Sequence, residues 1–167
     1  MKEIFERRSI RKYTDAPVSD TDIEKLLRAG MQAPSAGNQQ PWEFVVLKDK
    51  ETMLKVLEFH PYSTPLKTAA CAIVVCMKKP TSDALVPYRI QDCAAATQNI
   101  LLEAAHLGLG AVWMGVYPDE KRVNGTRELL GAPEDITPFC IIAVGHPAEQ
   151  AAPADRYDAT RVHINQW

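Results

Sequence analysis

The segment Pro34-Ser35-Ala36-Gly37-Asn38-Gln39-Gln40-Pro41-Trp42-Glu43-Phe44, "PSAGNQQPWEF", is the most informative part of this chain. A helical pattern precedes it and an apolar run, "FVVL", overlaps its end and continues beyond it, so it connects a helix to a strand. Two prolines restrict its backbone, and between them lie one hydroxyl and three amide side chains that donate and accept hydrogen bonds. A loop this rigid and this polar indicates a ligand-binding segment.

Outside this loop, strand and helix patterns alternate along the chain. Short apolar runs predict strands at residues 43–49, 72–78, 111–117 and 138–147. Helical spacing predicts helices after the Ser19 cap to Met31, over 50–60, over 88–110, and over 119–131 with an interruption at Asn124-Gly125. This alternation predicts an α/β sandwich in which helices cover both sides of a sheet.

The predicted helix over residues 88–110 is apolar on most of its circumference. Alanine and leucine dominate it, and a helix that is apolar on nearly all sides must be buried on nearly all sides. Two interpretations remain open. The helix is either a core helix packed on the sheet, or it lies at the middle of a dimer, where its alanines allow close approach.

Length and charge restrict the classes of protein. A chain of 167 residues is expected to form one domain, residues 1–167. A net charge of −2 argues against a nucleic-acid partner. The absence of a long apolar window and a charged start, "MKEIFERRS", predict a cytoplasmic protein without a membrane partner. The four cysteines form no C-x-x-C and are expected to be reduced and mostly buried, and the spacing of the four histidines predicts no metal site.

The start of the chain is strongly basic. The stretch "ERRSIRKY", residues 6–13, combines four cations with a hydroxyl, and Arg7 and Arg11 would share a face of a helix. Arginine and serine are suitable phosphate ligands, although a solvated basic face explains the same pattern. The C-terminal Arg161-Val162-His163 is equally ambiguous, and the chain contains neither G-x-G-x-x-G nor a Walker motif.

Considered together, these motifs resemble one known family. "RRSIRKY", "APSAGNQQPWEFVVL", "DCAAATQNILLEAAHLGLGAVWMG" and "VGHP" follow one another as in the nitroreductase family of flavin-dependent oxidoreductases, along essentially the whole chain. The resemblance implies an α+β fold with a central mixed sheet flanked by helices. It also implies an obligate homodimer with non-covalent FMN at the interface. NADH or NADPH would be the electron donor, and nitroaromatics, quinones or flavins the acceptors.

The resemblance also assigns FMN contacts by position. The phosphate- and pyrimidine-binding residues would be Arg7, Arg8, Ser9 and Arg11. The opening loop, which in the family reaches the flavin of the other subunit, would contribute Pro34, Ser35, Ala36, Asn38 and Gln40. The backbone that faces the reactive edge of the flavin would be that of Trp113, Met114 and Gly115, and the closing residues would be Arg161 and, as a looser match, His163.

Several assignments stay open at this point. The chain is short for the family, and Lys67 lies near a flavin-binding lysine of longer members in a register that does not support the same role. Trp42 either packs beneath the loop or stacks on the flavin ring. The aromatic residues Phe59, Tyr62, Tyr88 and Tyr117 line a substrate pocket or belong to the core.

The flavin chemistry implied by the resemblance needs no side chain as nucleophile or general acid, so no catalytic residue is assigned. The mechanism would be ping-pong, with hydride passing from NAD(P)H through FMN to an acceptor. Three functions agree with the sequence: a broad NAD(P)H oxidoreductase, a specialised flavoenzyme such as a dehydrogenase or reductive dehalogenase for one metabolite, and a flavin-binding protein with little turnover.

Overall fold

Four strands form an antiparallel sheet in the computed structural model, which describes residues 2–152 and 154–167. The strands are β1 (Trp42–Leu47), β2 (Cys71–Lys78), β3 (Gly110–Gly115) and β4 (Ile136–Gly145). Their order is β1-β2-β4-β3, so β1 and β3 are the two edges. Each paired neighbour runs in the opposite direction. The resemblance to the nitroreductase family implies a mixed sheet. In the described chain the four strands are all antiparallel, and the one parallel pairing is the isolated bridge between Ser9 and Ala111.

Helices cover both faces of this sheet, as the strand and helix patterns predict. The helices are α1 (Lys2–Glu6), α2 (Asp20–Met31), α3 (Lys50–Lys55), α4 (Arg89–His106) and α5 (Glu120–Leu130). Residues of α2 and α4 join one buried cluster with Ile73 and Ile142 of the sheet. Residues of α3 and α5 join a second cluster with Val74 and Ile141. The alternation of β2 and β4 side chains between the two clusters explains why both strands are almost continuously apolar.

Side-chain caps determine where three helices begin. The hydroxyl of Ser19 accepts a hydrogen bond from the Asp22 amide at 3.1 Å, as the sequence predicts for α2. Asp49 caps α3 and Asp119 caps α5 in the same way. These bonds satisfy amide groups that have no partner within the first turn.

Helix α4 packs on the sheet along one face and leaves the other partly open. The buried residues of α4 are Asp92, Cys93, Ala96, Thr97, Ile100, Leu101 and Ala104. Its other small apolar residues, Ala94, Ala95, Leu102 and Ala105, are only half-buried within one chain. The core interpretation is therefore correct for one face, and the second face still presents apolar surface.

One local prediction is wrong, because α5 runs from Glu120 to Leu130 without the interruption expected at Asn124-Gly125. Gly125 lies under the ring of Phe59, and a Cβ on this glycine would come within 2.5 Å of Phe59 Cγ. The glycine is therefore required for packing against the ring, and it does not break the helix.

Two further expectations concern cysteines and membrane segments. All four cysteines are free and buried, which confirms their predicted state. No helix in the described part of the chain has the length and apolar character needed to cross a membrane.

Candidate functional site

The basic N-terminal segment extends the sheet at the β3 edge. Ser9 pairs with Ala111, and the Ile10 amide donates to the Ala111 carbonyl at 3.0 Å. This close approach requires Gly110, because a Cβ there would lie 2.7 Å from Ile10 Cγ2. The segment predicted to bind FMN is thereby held beside the strand predicted to face the flavin.

A cleft of about 470 Å³ lies between this segment, the end of α4 and β3. Its lining includes Arg7, Arg8, Ile10, Leu109 and Glu149. The cleft therefore contains two of the cations that the sequence assigns to the phosphate of a cofactor.

Arg7 has the environment of an anion-binding residue. It is half-buried, and its guanidinium has no hydrogen-bond or ion-pair partner in residues 2–152 and 154–167. Burial, followed by the charges of Arg156 and Arg8, lowers the pKa of Arg7. A desolvated cation beside two like charges is stabilised when an anion binds.

Arg8 makes several hydrogen bonds within the chain. Its Nε donates to the Ala152 carbonyl at 2.9 Å, and its two terminal nitrogens donate to the carbonyls of Phe5, Arg7 and Ala154. Four of its five N–H donors are thus occupied. Arg8 fastens the C-terminal segment to the N-terminal helix, which leaves little capacity for a ligand.

The cation that the C-terminal segment brings near Arg7 is Arg156, which the sequence interpretation did not select. Arg161 points elsewhere, with its side chain 83% exposed and its Nε 3.1 Å from Asp158 Oδ2. The ring of His163 stacks on Trp167, with centroids 4.3 Å apart. Because Arg8 holds residues 152 and 154, the beginning of the tail approaches the cleft. Arg156 lines a neighbouring pocket together with Arg8, whereas Arg161 and His163 line neither of the two.

A second pocket, of about 310 Å³, contains the remaining predicted contacts of the β3 edge. Arg11 lines it together with Trp113, Met114 and Gly115. The Arg11 side chain is exposed and makes one long bond of 3.4 Å to the Ser9 carbonyl. The structure therefore brings Arg11, predicted to meet the pyrimidine edge, and the backbone predicted to face the flavin to the same pocket.

Strand geometry decides which backbone amide faces this pocket. Successive residues of a strand direct their N–H and C=O groups to alternate sides. The Ala111 carbonyl accepts from Ile10, so Ala111, Trp113 and Gly115 face the open edge. Met114 faces β4, with Ile141 as its partner in the ladder. Between the amides of Met114 and Gly115, that of Gly115 lies on the open edge, where a ligand can reach it.

His60 lies next to the carbonyl group of Gly115 and lines the same pocket. The residue is 1% exposed, its Nδ1 accepts from the Tyr62 amide at 3.3 Å, and its Nε2 lies 2.9 Å from the Gly115 carbonyl. The acceptor role of Nδ1 places the proton on Nε2. Burial, followed by the charge of Arg122, lowers the pKa of His60, so the ring is neutral near pH 7. The sequence interpretation did not select His60, because its spacing fits no motif.

The amide-rich loop, residues 34–41, is held by internal hydrogen bonds and lies beside β1, at the sheet edge opposite β3. Ser35 Oγ accepts from the Gln40 amide at 2.9 Å, and Gln40 Nε2 donates to Asn38 Oδ1 at 3.1 Å. Asn38 and Gln40 have φ values of 53° and 47°, which non-glycine residues adopt only when bonds hold them there. Asp92 of α4, a buried residue not selected from the sequence, accepts from the Ala36 amide at 3.0 Å.

This loop leads into β1, so it lies at the opposite edge of the sheet from β3. Three strand spacings of about 4.8 Å separate the edges, which is roughly 14 Å. Within one chain the loop therefore does not meet the pocket of Arg11 and Gly115. Trp42 is buried in the core cluster at the start of β1, so it packs beneath the loop and is not exposed for stacking.

The sequence and the fold of this chain are similar to those of known proteins. The sequence model of the Nitroreductase family matches residues 4–60 and 57–146, which is most of the chain. The chain belongs to the nitroreductase family.

Three relatives illustrate the likeness. A protein of Archaeoglobus fulgidus, provisionally named NADH dehydrogenase/NAD(P)H nitroreductase, is 46% identical over 170 residues, covering 100% of this chain and 98% of the relative. The crystal structure of a provisionally named NADH oxidase from Clostridium acetobutylicum has a TM-score of 0.94 and 49% identity, covering 99% of both chains. An FMN-dependent nitroreductase from Clostridium difficile has a TM-score of 0.91 and 32% identity, covering 100% of both chains. These likenesses confirm the α+β fold expected for a nitroreductase.

The aromatic residues considered for the substrate pocket of this nitroreductase separate into different roles. Tyr62 is largely exposed and lines the Gly115 pocket. Phe59 packs over Gly125, and Tyr117 packs against both core clusters. Tyr88 is exposed at the start of α4. Neither Tyr88 nor the exposed Lys67 lines the Gly115 pocket.

Proposed function

We propose that this chain is an FMN-dependent oxidoreductase that transfers electrons from NADH or NADPH to nitroaromatic, quinone or flavin acceptors. The observation that carries this proposal is the half-buried Arg7, which has no hydrogen-bond or ion-pair partner among the described residues and feels the charge of Arg156. The same N-terminal segment brings Arg11 to the Gly115 pocket. Membership of the nitroreductase family supports the same conclusion.

The donor set fits the parts of FMN. Arg7, Ser9 and Arg156 provide cations and a hydroxyl for the phosphate. Arg11 provides a cation for the pyrimidine edge, and Gly115 provides an outward amide for the ring. No cluster of His, Cys, Asp and Glu that could hold a metal ion occurs in the described residues, so the proposal rests on the flavin alone.

Bound FMN supplies the hydride chemistry, and the protein supplies binding, orientation and charge. Arg11 stabilises negative charge that collects at the pyrimidine edge. The Gly115 amide presents a fixed donor to the ring edge. Donor and acceptor have to reach the same edge beside Gly115, so we propose that they occupy the pocket in turn, which is a ping-pong order. No side chain is proposed as an acid, base or nucleophile.

A second copy of the chain would complete the site. The loop residues Pro34, Ser35, Ala36, Asn38 and Gln40 lie at the β1 edge, far from the β3 edge of the same chain. If the loop of one copy meets the β3 edge of the other across a two-fold axis, symmetry forms the same contact a second time and completes both sites. The half-buried face of α4 and the exposed Tyr157, Ile164 and Trp167 provide apolar surface for such a contact. We therefore propose a homodimer with FMN at its interface.

The proposal is tested by flavin content and by a screen of donors and acceptors. The purified protein is expected to release FMN on denaturation and to oxidise NADH or NADPH faster when a nitroaromatic or quinone is present. Failure to release flavin, together with an FMN Kd weaker than about 100 μM, roughly 5.5 kcal/mol, would overturn the proposal. Bound flavin without turnover would instead indicate a flavin-binding protein, and activity on a single acceptor would indicate a specialised enzyme.

A further inference from the structure

The carbonyl group of Gly115 accepts hydrogen bonds from two side chains at once. His60 Nε2 lies 2.9 Å from it, and the Arg122 guanidinium donates to it at 3.1 Å. The two donors come from different parts of the chain, the turn after α3 and the first turns of α5. Because Gly115 ends an edge strand and is exposed, solvent water could satisfy this carbonyl without either side chain.

Each donor is itself fixed by other contacts. The Tyr62 amide bonds to His60 Nδ1, which holds the imidazole in one tautomer and one orientation. Arg122 Nε lies 3.5 Å from Asp119 Oδ2, and its guanidinium lies 5.3 Å from the centroid of the Tyr62 ring. Tyr62 therefore contacts both donors, His60 through its amide and Arg122 through its ring. We refer to His60, Tyr62, Asp119 and Arg122 as the carbonyl clamp.

The clamp acts on a peptide group that is bonded at both ends. The amide that follows the Gly115 carbonyl is that of Val116, and it donates to the Phe139 carbonyl at 3.1 Å. Hydrogen bonds that share one peptide group polarise it and strengthen each other. A Cβ on Gly115 would have no neighbour within 4 Å, so no side-chain packing restrains this residue. Its orientation is therefore determined by its backbone bonds.

We propose that His60 and Arg122 are positioning residues that hold Gly115 so that its own amide keeps facing the cofactor pocket. The N–H and C=O of one strand residue point to the same side, so fixing the carbonyl also fixes the amide beside it. The clamp would thereby preorganise a backbone donor at the reactive edge of the flavin, where a fixed dipole is more effective than a mobile one. This inference rests on the proposed function.

The inference is tested with two substitutions of His60 and one matched control. His60→Leu removes the bond from His60 to the Gly115 carbonyl and the bond from the Tyr62 amide to His60. His60→Gln retains an N–H donor that can reach the carbonyl. Thr126→Val serves as the control. Thr126 is a buried residue of α5, and its hydroxyl has no hydrogen-bond partner within the described residues. The measurements are hydrogen exchange at the Val116 amide without cofactor, FMN affinity, and the rate of flavin reduction by NADH at FMN saturation.

We expect His60→Leu to speed exchange at Val116 and to weaken FMN binding or slow flavin reduction by about tenfold, the value of one net hydrogen bond. His60→Gln should stay within roughly threefold of the wild type, and Thr126→Val should match the wild type. Equal behaviour of His60→Leu and wild type would overturn the inference. Equal losses in His60→Leu and His60→Gln would also overturn it, since they would indicate packing without donation.

The inference can still be tested if the wild type binds no FMN or if His60→Leu does not fold. If the wild type binds no FMN, the proposed function fails, but the exchange rate at Val116 still reports whether the clamp holds Gly115. If His60→Leu does not fold, Arg122→Met removes the other donor from the same carbonyl. We expect Arg122→Met to speed exchange at Val116 as well, and unchanged exchange would overturn the inference.

Discussion

Ser9 and Ala111 pair as a parallel bridge, which places the basic N-terminal segment against the edge strand that ends at Gly115. Residues separated by about a hundred positions in the sequence thus form one side of the proposed cofactor site. The bridge directs the segment so that Arg7 lies at the 470 Å³ cleft and Arg11 at the 310 Å³ pocket. An extended ligand with a phosphate at one end and a ring at the other matches this order.

Arg7→Ala is expected to weaken FMN binding more than it destabilises the fold. A charged hydrogen bond to phosphate contributes about 1.5–3 kcal/mol, so the FMN affinity should fall roughly tenfold to hundredfold. The measurement is a fluorescence titration with FMN and with riboflavin, which lacks the phosphate. Arg28→Ala is the control, because Arg28 is an exposed arginine on α2 that pairs with Glu24. An equal loss for FMN and riboflavin would show that Arg7 does not contact the phosphate.

Arg156 is expected to matter more for FMN than Arg161. Arg156 lies close enough to Arg7 to lower the pKa of Arg7, whereas Arg161 pairs with Asp158 in solvent. Arg156→Ala should reduce FMN affinity by about tenfold, and Arg161→Ala should have little effect, because exposed ion pairs contribute little. Titration of both variants checks this. The reverse order would restore Arg161 as the closing cation, as the resemblance first implied.

The shared-site homodimer predicts complementation between two defective chains. One variant carries Arg7→Ala and Arg11→Ala, and the other carries Asn38→Ala and Gln40→Ala. In a homodimer of either variant, each of the two sites carries that variant's lesion. A heterodimer instead combines both lesions in one site and leaves the other site intact, which follows from two-fold symmetry.

Co-expression of the two variants should therefore recover bound flavin and up to about half of the wild-type activity per heterodimer. Heterodimers are purified with two different affinity tags and confirmed by mass. Mixtures of separately tagged copies of a single variant are the control, and they should recover nothing. If confirmed heterodimers recover no flavin, both segments serve the same site from one chain and the shared-site proposal is wrong.

Gly125→Ala is expected to destabilise the fold although alanine is the better helix former. The new Cβ would come within 2.5–2.8 Å of three ring atoms of Phe59. Overpacking costs about 1–3 kcal/mol, while the gain in helix propensity is about 1 kcal/mol, so the free energy of unfolding should fall by up to about 2 kcal/mol. Urea unfolding measures the change. In a Phe59→Leu background the substitution should cost less, and an equal cost in both backgrounds would exclude the ring as its cause.

Local signals made most of the elements predictable. The cap at Ser19, the apolar runs of the four strands and the long pattern that became α4 all depend on residues that are close in the chain. The interruption of α5 was mispredicted for the opposite reason. Gly125 is favourable there because of a ring 66 positions away, and no local pattern contains that information.

The candidate site divides in the same way. Arg7, Ser9, Arg11 and Gly115 were assigned from a resemblance of motifs, and the fold brings them to one sheet edge. His60 and Arg156 belong to no motif, and Asp92 begins the motif "DCAAATQNILLEAAHLGLGAVWMG" without an assigned role, so their positions near the site became evident only from packing.

The sequence by itself determined the order of helices and strands, the family, and the residue types able to hold a flavin phosphate, because these depend on periodicity, capping and motifs. Only the tertiary structure decided which side of the sheet each motif occupies. It placed the loop of Asn38 at the β1 edge and the cations at the β3 edge, since strand order is established by pairing between distant segments. It also decided that Arg8 holds the C-terminal segment and that two side chains hold Gly115, because such bonds form only after the chain has folded.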